Sequence, residues 1–145
     1  MACPALPWLA PFYRRRGFND LFKTVNTSLT TVGNGTLLVA ALAGQYITRS
    51  GPTGAFTDTT DSLANFLAYF RGMYNVTEAI QWICEYNNTT AYIATLAAGA
   101  GATISANPGA TLAIPAGAVA EILVSFLPVG AGTLTFTVLA RQATE

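Results

Sequence analysis

The chain has 145 residues, the length of a single domain, and its formal net charge is zero because seven basic side chains balance seven acidic ones. Only 10% of the residues are charged and none is histidine, which excludes histidine-based metal sites, catalytic triads and histidine acid–base catalysis. A hydrophobic content of 52% also excludes a chain that stays unfolded for lack of apolar residues.

The first 23 residues differ in composition from the rest of the chain. They carry a net charge of +3 and three prolines, whereas residues 24–145 carry a net charge of −3. Their basic residues follow the apolar stretch, which is the reverse of the order in a signal peptide. We therefore predict an uncleaved, extended, basic N-terminal arm over residues 1–23 and a β-sandwich domain over residues 24–145.

The arm is too short to form a core of its own, so we expect it to become ordered against a partner. The residues expected to make this contact are aromatic or basic: Trp8, Phe12, Tyr13, Arg14, Arg15, Arg16 and Phe18. A run of three arginines is shorter than the basic tracts typical of nucleic-acid binding. Docking on a protein surface is therefore favoured over nucleic acid, and a solvated run of charges is the alternative.

The first part of the domain leaves two interpretations open. Residues 36–50, TLLVAALAGQYITRS, form either two strands kinked at Gly44 or a short helix followed by a strand over residues 45–49. The longest apolar window here, residues 37–44, is far shorter than the roughly 20 residues that span a membrane. We therefore expect no membrane-spanning helix. A cluster of turn residues follows at 50–54.

One segment predicts a helix. In residues 56–70, FTDTTDSLANFLAYF, Thr60 or Asp61 can act as the N-cap, and Gly72 ends the helix. Apolar side chains recur at the i, i+3, i+4, i+7 spacing of a buried helix face: Leu63, Phe66, Leu67 and Phe70.

From residue 76 onward, alternating apolar side chains and Gly, Pro or Asn turns predict about six strands. One face of the first of these strands holds Ile80, Trp82, Cys84 and Tyr86. Parallel pairing needs crossover segments of about a dozen residues, usually helices, and the sequence leaves no room for them. The predicted fold class is therefore all-β: an antiparallel β-sandwich with one short helix and an extended N-terminal arm.

The sequence indicates no catalytic, cofactor-binding or metal-ligating residue. Asp61 is explained as a helix cap, and Glu121 is expected to be buried or at an interface, with Arg141 or Arg71 as its partner. The three Gly-x-Gly segments lack a third glycine and a following helix, so we interpret them as turns. We therefore predict a protein that is not an enzyme and that binds no cofactor and no small-molecule substrate.

The two cysteines, Cys3 and Cys84, are far apart in sequence, and we predict two free thiols with Cys84 buried. Four Asn-x-Ser/Thr sequons are interpreted as by-products of a Thr- and Asn-rich β protein, with a secreted glycoprotein as a further alternative. They lie at Asn26, Asn34, Asn75 and Asn88.

Several short segments carry a resemblance through their order in the chain. FTDTT (56–60) leads into the helix, TLAAGAGAT (95–103) forms a glycine turn, IPAGA (114–118) forms the next turn, and a long strand at 121–126 follows. In this order, over residues 45–142, the chain resembles a jelly-roll-like β-sandwich module found in structural proteins of tailed phages and large double-stranded DNA viruses.

The resemblance implies a non-enzymatic virion protein, which we expect to be a capsid cement or decoration protein on the outer capsid surface. Its expected partners are the major capsid protein and further copies of itself in a homotrimer, since symmetric assembly covers a surface poor in charge. The alternative is another virion part, such as a minor capsid, spike or tail-fibre module that binds a host receptor or glycan. An exposed aromatic pair, Tyr86 with Tyr92, would favour that alternative.

Overall fold

The structure of the protein is a computed structural model that describes residues 24–73 and 77–142, except for the side chains at 72, 73 and 140–142. The predictions for the arm over residues 1–23 and for its seven contact residues lie outside the described residues. The described chain forms ten strands and two helices. The strands are β1 (Val25–Leu29), β2 (Gly35–Leu37), β3 (Gln45–Arg49), β4 (Phe56–Thr60), β5 (Ile80–Asn88), β6 (Ala94–Ala97), β7 (Thr103–Ala106), β8 (Ala113–Ile114), β9 (Val119–Leu127) and β10 (Thr133–Gln142), and the helices are α1 (Val39–Ala43) and α2 (Leu63–Met73).

These strands form two sheets. The six-stranded sheet, called the large sheet below, has the order β1-β3-β5-β9-β10-β7, and the four-stranded small sheet has the order β2-β4-β6-β8. From β1 to β9, each strand lies in the sheet opposite to that of the strand before it. The prediction of a mostly β, sandwich-like protein with two sheets is confirmed at this level.

The predicted strand direction is wrong for most pairs. Among the described strands, five of the eight pairings are parallel: β1 with β3, β3 with β5, β2 with β4, β4 with β6, and β7 with β10. The prediction assumed that a parallel connection needs a helix as its crossover. Here a strand of the facing sheet lies within each connection, as β4 lies between β3 and β5. A jelly-roll topology is not confirmed.

The core lies between the sheets and is rich in aromatic side chains. As predicted, every second side chain of β5, β9 and β10 is buried: Trp82, Cys84, Tyr86, Ala120, Ile122, Val124, Phe126, Leu134, Phe136 and Val138. The helix α2 adds Phe66 and Phe70, which are both fully buried. Burying each such ring contributes about 1.5–3 kcal/mol relative to exposure, so the predicted apolar stripe of α2 is what holds this helix on the sheets.

The first part of the domain resolves one open interpretation and corrects two predictions. Because α1 precedes β3, residues 36–50 contain a short helix followed by a strand, and the described chain has two helices rather than one. Residues 56–60, which we placed ahead of the helix without predicting a strand, form β4 with Phe56, Asp58 and Thr60 buried.

The cap of α2 also differs from the prediction. The Oγ atom of Ser62 accepts the backbone N–H of Asn65 at 3.1 Å, which is the N-cap geometry. Asp61 accepts the backbone N–H groups of Val39 and Ser62, each at 2.8 Å, so its carboxylate ties α1 to the start of α2. The helix ends at Met73, one residue beyond the predicted Gly72.

The glycine turn after β6 packs directly on the end of β4. A Cβ atom added to Gly99 would lie 2.3 Å from the carbonyl oxygen of Thr60, so the backbone itself would have to move. We expect Gly99→Ala to lower the free energy of unfolding by about 1–3 kcal/mol, the range for overpacking a fitted site. Urea denaturation measures this change. Gly54→Ala is the control, since no atom lies within 4 Å of a Cβ placed there, and an equal loss in both variants would contradict the packing explanation.

Candidate functional site

A buried ionic cluster joins side chains of β3, β4 and β5. Arg49, the last residue of β3, and Asp58, in the middle of β4, are both 0% exposed, and Nε of Arg49 donates to Oδ2 of Asp58 at 2.7 Å. The hydroxyl of Tyr86 donates to the same oxygen at 2.7 Å. The guanidinium also lies over the ring of Phe56, 4.7 Å from its centroid.

The rest of the Arg49 guanidinium binds backbone carbonyls. Nη1 donates to Thr31 at 2.8 Å and to Ser50 at 2.9 Å, with a longer contact of 3.3 Å to Leu29, and Nη2 donates to Gly33. Four carbonyl groups at the end of β1, in the loop before β2 and after β3 are therefore satisfied by one side chain. A fork of five N–H groups suits this task better than an ammonium would.

Asp58 explains a glycine in the neighbouring strand. A Cβ atom on Gly35 would lie 2.8 Å from Oδ1 of Asp58, so only glycine fits beside the carboxylate. This oxygen is buried and accepts no hydrogen bond within the described chain. Burial, followed by the hydrogen bond to Asp58, raises the pKa of Tyr86 well above its usual range. The cluster is closed to solvent and holds loops, so we assign it a structural role.

A second polar side chain organises the same end of β5, because Asn88 is the register partner of Arg49. Asn88 is fully buried, and its Nδ2 donates to the carbonyls of Tyr92 (2.8 Å), Ile114 (3.1 Å) and Pro115 (2.9 Å). Its Oδ1 accepts the hydroxyl of Thr90 at 2.7 Å. This amide joins the turn after β5 to the IPAGA turn, and its burial leaves the sequon at Asn88 inaccessible in the folded protein.

The Arg49–Asp58 pair was not predicted from the sequence. A signal was present, because Arg49 has the same strand parity as the buried Ile47, and Asp58 has the same parity as the buried Phe56. Two charged residues of opposite sign at inward positions of neighbouring segments indicate a buried pair. Because no strand was predicted over residues 56–60, the inward position of Asp58 did not follow from the sequence.

Two half-buried acidic side chains lie on the outward face of the large sheet. Register places Tyr46 beside Glu85 and Glu85 directly opposite Glu121. These three residues, together with Ile83 and Gln45, line a shallow depression of about 190 Å³. Tyr46 is 42% exposed and Ile83 is 48% exposed, so the depression has both apolar and acidic walls.

The outward face of the small sheet is different, because its described side chains carry no charge. It presents threonines in register on parallel strands: Thr36 beside Thr59, and Thr57 beside Thr95. Of the seven charged residues whose side chains are described, Arg49, Asp58 and Asp61 are buried. The surface is therefore poorer in charge than the composition suggested.

Several expected site residues lie elsewhere than predicted. Tyr86 is fully buried while Tyr92 is 40% exposed, so the two do not form the exposed aromatic pair that would have favoured a glycan-binding virion part. Arg71 donates to the carbonyl of Pro128 at 3.1 Å and not to Glu121, which lies half-buried on the outward face. The side chain of Arg141 is outside the described residues.

The buried thiol predicted at Cys84 is confirmed, since this side chain is 0% exposed. Burial, with a smaller effect from the charge of Glu85, raises its pKa from 9.0 to about 12. Below pH 9 both folded and unfolded chains keep this proton. Between pH 9 and 12 the unfolded chain loses it first, so the stabilisation falls as pH rises through that window.

We therefore expect a Cys3→Ser variant to show no reactive thiol in the native state at pH 8 and one in urea, measured with a chromogenic disulfide. We also expect its free energy of unfolding to fall more steeply between pH 9 and 12 than that of a Cys3→Ser, Cys84→Ala variant. Rapid reaction of the native Cys3→Ser protein, or parallel pH profiles, would contradict the burial argument.

Comparison with known proteins gives no match. No family model, curated protein or solved structure is similar to this chain. Neither helix of the described chain has the length and hydropathy of a membrane-spanning segment. Within residues 24–73 and 77–142, no three His, Cys, Asp or Glu side chains are grouped as a metal site would need.

Proposed function

We propose that this protein is a capsid cement or decoration protein, a non-enzymatic structural component on the outer surface of a tailed phage or a large double-stranded DNA virus. The ordered segments FTDTT, TLAAGAGAT and IPAGA, whose resemblance to such virion modules is given above, support the proposal. The major capsid protein is its partner, and neither a cofactor nor a small-molecule substrate takes part.

The observation that carries the proposal is that the surface bears few charges, while buried side chains fix its loops by hydrogen bonds. Arg49 and Asn88, which pair in register at the C-terminal end of β5, fix the loops at that end of the strand, and the outward face of the small sheet presents threonines. Covering an uncharged face costs little hydration free energy, because few charges must be desolvated. Such a surface suits permanent contact with a neighbouring protein.

In this proposal residues 1–23 act as a basic aromatic arm that lies on adjacent capsid subunits, and the protein is a homotrimer at local three-fold positions. Bridging two capsomers adds buried area that internal genome pressure must expose before the capsomers separate. The contribution is mechanical, and no residue needs a chemical role. Light scattering of the purified protein tests the trimer.

Mass spectrometry of purified virions is the test of function. We expect many copies of the protein per particle, of the same order as the major capsid protein, and rebinding of purified protein to stripped capsids. An Arg14→Ser, Arg15→Ser, Arg16→Ser variant should rebind weakly, while Arg71→Ser, which removes an exposed arginine outside the arm, should rebind normally. A few copies at one vertex, or no virion association, would overturn the proposal.

A further inference from the structure

The Asn34–Gly35 dipeptide is the one place in the sequence where glycine follows asparagine. In such a pair the backbone nitrogen of the glycine can attack the side-chain amide carbon of the asparagine and close a five-membered ring. Glycine favours this reaction because it has no Cβ atom to hinder the approach of its nitrogen. Asn34 is exposed in the loop before β2, so water reaches it. The dipeptide therefore has the chemistry of a self-modification site.

The ionic cluster requires this glycine. A Cβ atom on Gly35 would lie 2.8 Å from Oδ1 of Asp58 and 3.2 Å from Nη2 of Arg49. The same Nη2 donates to the carbonyl of Gly33, which has a φ of 92° and so favours glycine as well. The side chains that fix this loop therefore also keep a reactive dipeptide in the chain.

In the folded chain β4 holds both reacting groups of the dipeptide. Oδ1 of Asn34 accepts the backbone N–H of Thr57 at 2.8 Å. The carbonyl of Leu37 accepts the N–H of Asp61 on the β4 side at 3.0 Å. Backbone groups of every second residue in a strand point to the same neighbour, so the N–H of Gly35 also faces β4. Ring closure requires both groups of the dipeptide to leave β4.

The strand β2 can release the dipeptide while the core stays folded. It has three residues and lies at an edge of the small sheet, where it pairs with β4 alone among the described strands. Segments with few contacts open at free energies below that of global unfolding. Leu37, which is fully buried, anchors this strand. Detachment of β2 therefore frees the amide of Asn34 and the nitrogen of Gly35 together.

We propose that Asn34–Gly35 is a modification site that the pairing of β2 with β4 keeps closed and that reacts when β2 detaches. The nitrogen of Gly35 bonds to Cγ of Asn34, the Cγ–Nδ2 bond breaks, and the proton of the Gly35 nitrogen leaves with Nδ2 as ammonia. Water then opens the succinimide without any change in oxidation state. Cleavage between the nitrogen and Cγ gives aspartate, and cleavage between the nitrogen and the backbone carbonyl carbon gives isoaspartate.

The two products differ in the path of the main chain. Aspartate keeps the original backbone and still offers an oxygen to the N–H of Thr57. Isoaspartate routes the main chain through Cβ and Cγ and adds one methylene to it, so the residues of β2 no longer meet their register partners on β4. We expect isoaspartate at position 34 to keep β2 detached, which makes a transient opening permanent.

Peptide mapping by mass spectrometry tests the site with the full chain in mildly alkaline buffer. We expect modification of Asn34 to be at least about tenfold slower in the native protein than in urea, which corresponds to an opening free energy of about 1.4 kcal/mol or more. Asn26 is the internal control. It is exposed and accepts a hydrogen bond from Thr48, but threonine follows it, so it should react far more slowly in urea. Equal rates at Asn34 in both states would overturn protection by β4.

Two core variants distinguish detachment of β2 from unfolding of the whole domain. Leu37→Ala removes the anchor of β2, and Ile122→Ala removes an equally buried side chain of β9. We expect native Leu37→Ala to be modified faster than native Ile122→Ala when the rates are compared at equal loss of stability in urea. Equal acceleration would mean that global unfolding exposes the dipeptide and would overturn the role of β2. Leu37→Val and Ile122→Val repeat the comparison if an alanine variant fails to fold.

The two products test whether the opening becomes permanent. Chains aged in urea are separated by chromatography into aspartate and isoaspartate forms, which have the same mass and differ in their backbone. After refolding, the aspartate form should match an Asn34→Asp variant in its urea midpoint, and the isoaspartate form should have a lower midpoint and faster hydrogen exchange at Thr57. Equal behaviour of the two forms would overturn this consequence. No outcome depends on a virion, so the inference can fail without the proposed function failing.

Discussion

Arg49→Met is expected to lower the free energy of unfolding by about 3–5 kcal/mol, the cost of removing one partner of a buried ion pair. Asp58 would remain buried without its counter-charge, and the carbonyls of Thr31, Gly33 and Ser50 would lose their donor. Whole domains are stable by only about 5–15 kcal/mol, so this change could unfold a large fraction of the protein. Urea denaturation followed by circular dichroism measures it.

Two further variants separate the causes of that loss. Arg49→Met with Asp58→Leu removes both charges, but the loop carbonyls still lack a donor, so we expect only partial recovery. Arg71→Met is the matched control, because Arg71 is exposed and makes one hydrogen bond to Pro128 at 3.1 Å. It should cost about 1 kcal/mol or less. If Arg49→Met were as mild as this control, the cluster would not hold the loops.

Phe66→Ala is expected to be equally damaging, with a loss of about 3–5 kcal/mol. The ring is fully buried and its centroid lies 5.7–6.4 Å from those of four other rings. These rings belong to Phe70, Trp82, Phe126 and Phe136. They come from α2 and three strands of the large sheet, so no single element can close the cavity that the substitution leaves. Calorimetry gives the change in stability.

Phe66→Leu should cost less than Phe66→Ala, because the leucine fills part of the cavity. Tyr92→Ala removes an aromatic ring that is 40% exposed and lies in a loop, and it should leave the free energy of unfolding nearly unchanged. Similar losses for Phe66→Ala and Tyr92→Ala would mean that α2 is not anchored through Phe66.

The strands with one buried face could be predicted from the sequence, and the pairing between strands could not. In β9 each inward residue is apolar or aromatic, and in β5 the same holds except for the terminal Asn88, so the period of two is visible without any partner. β1 lies at an edge of the large sheet with mostly exposed residues, so it has no such pattern. Strand direction depends on which sheet receives the next strand, and local sequence does not encode that choice.

The helix α2 and strand β4 show the same limit at a finer scale. The apolar face predicted for α2 was correct, because Phe66 and Phe70 lie on one side of the helix and are both buried. β4 was not predicted because its middle residue is Asp58, and aspartate side chains are usually exposed to solvent. Its charge is tolerated only because Arg49 reaches it from another strand. The position of Glu85 opposite Glu121 was likewise not predictable, since these residues become neighbours only through the register of β5 and β9.

The parallel pairing of β1 with β3 determines how this molecule would respond to tension. Five residue pairs join the two strands, from Val25–Gln45 to Leu29–Arg49. A pull on β1 that is directed along the axis of the strand would load these pairs in shear, so that they share the force instead of opening one at a time. At the far end, the carbonyl of Leu29 is also held by the Arg49 guanidinium. A neighbouring subunit that bound the residues before Thr24 would therefore transmit its force to a strand that is paired with β3 along its whole length.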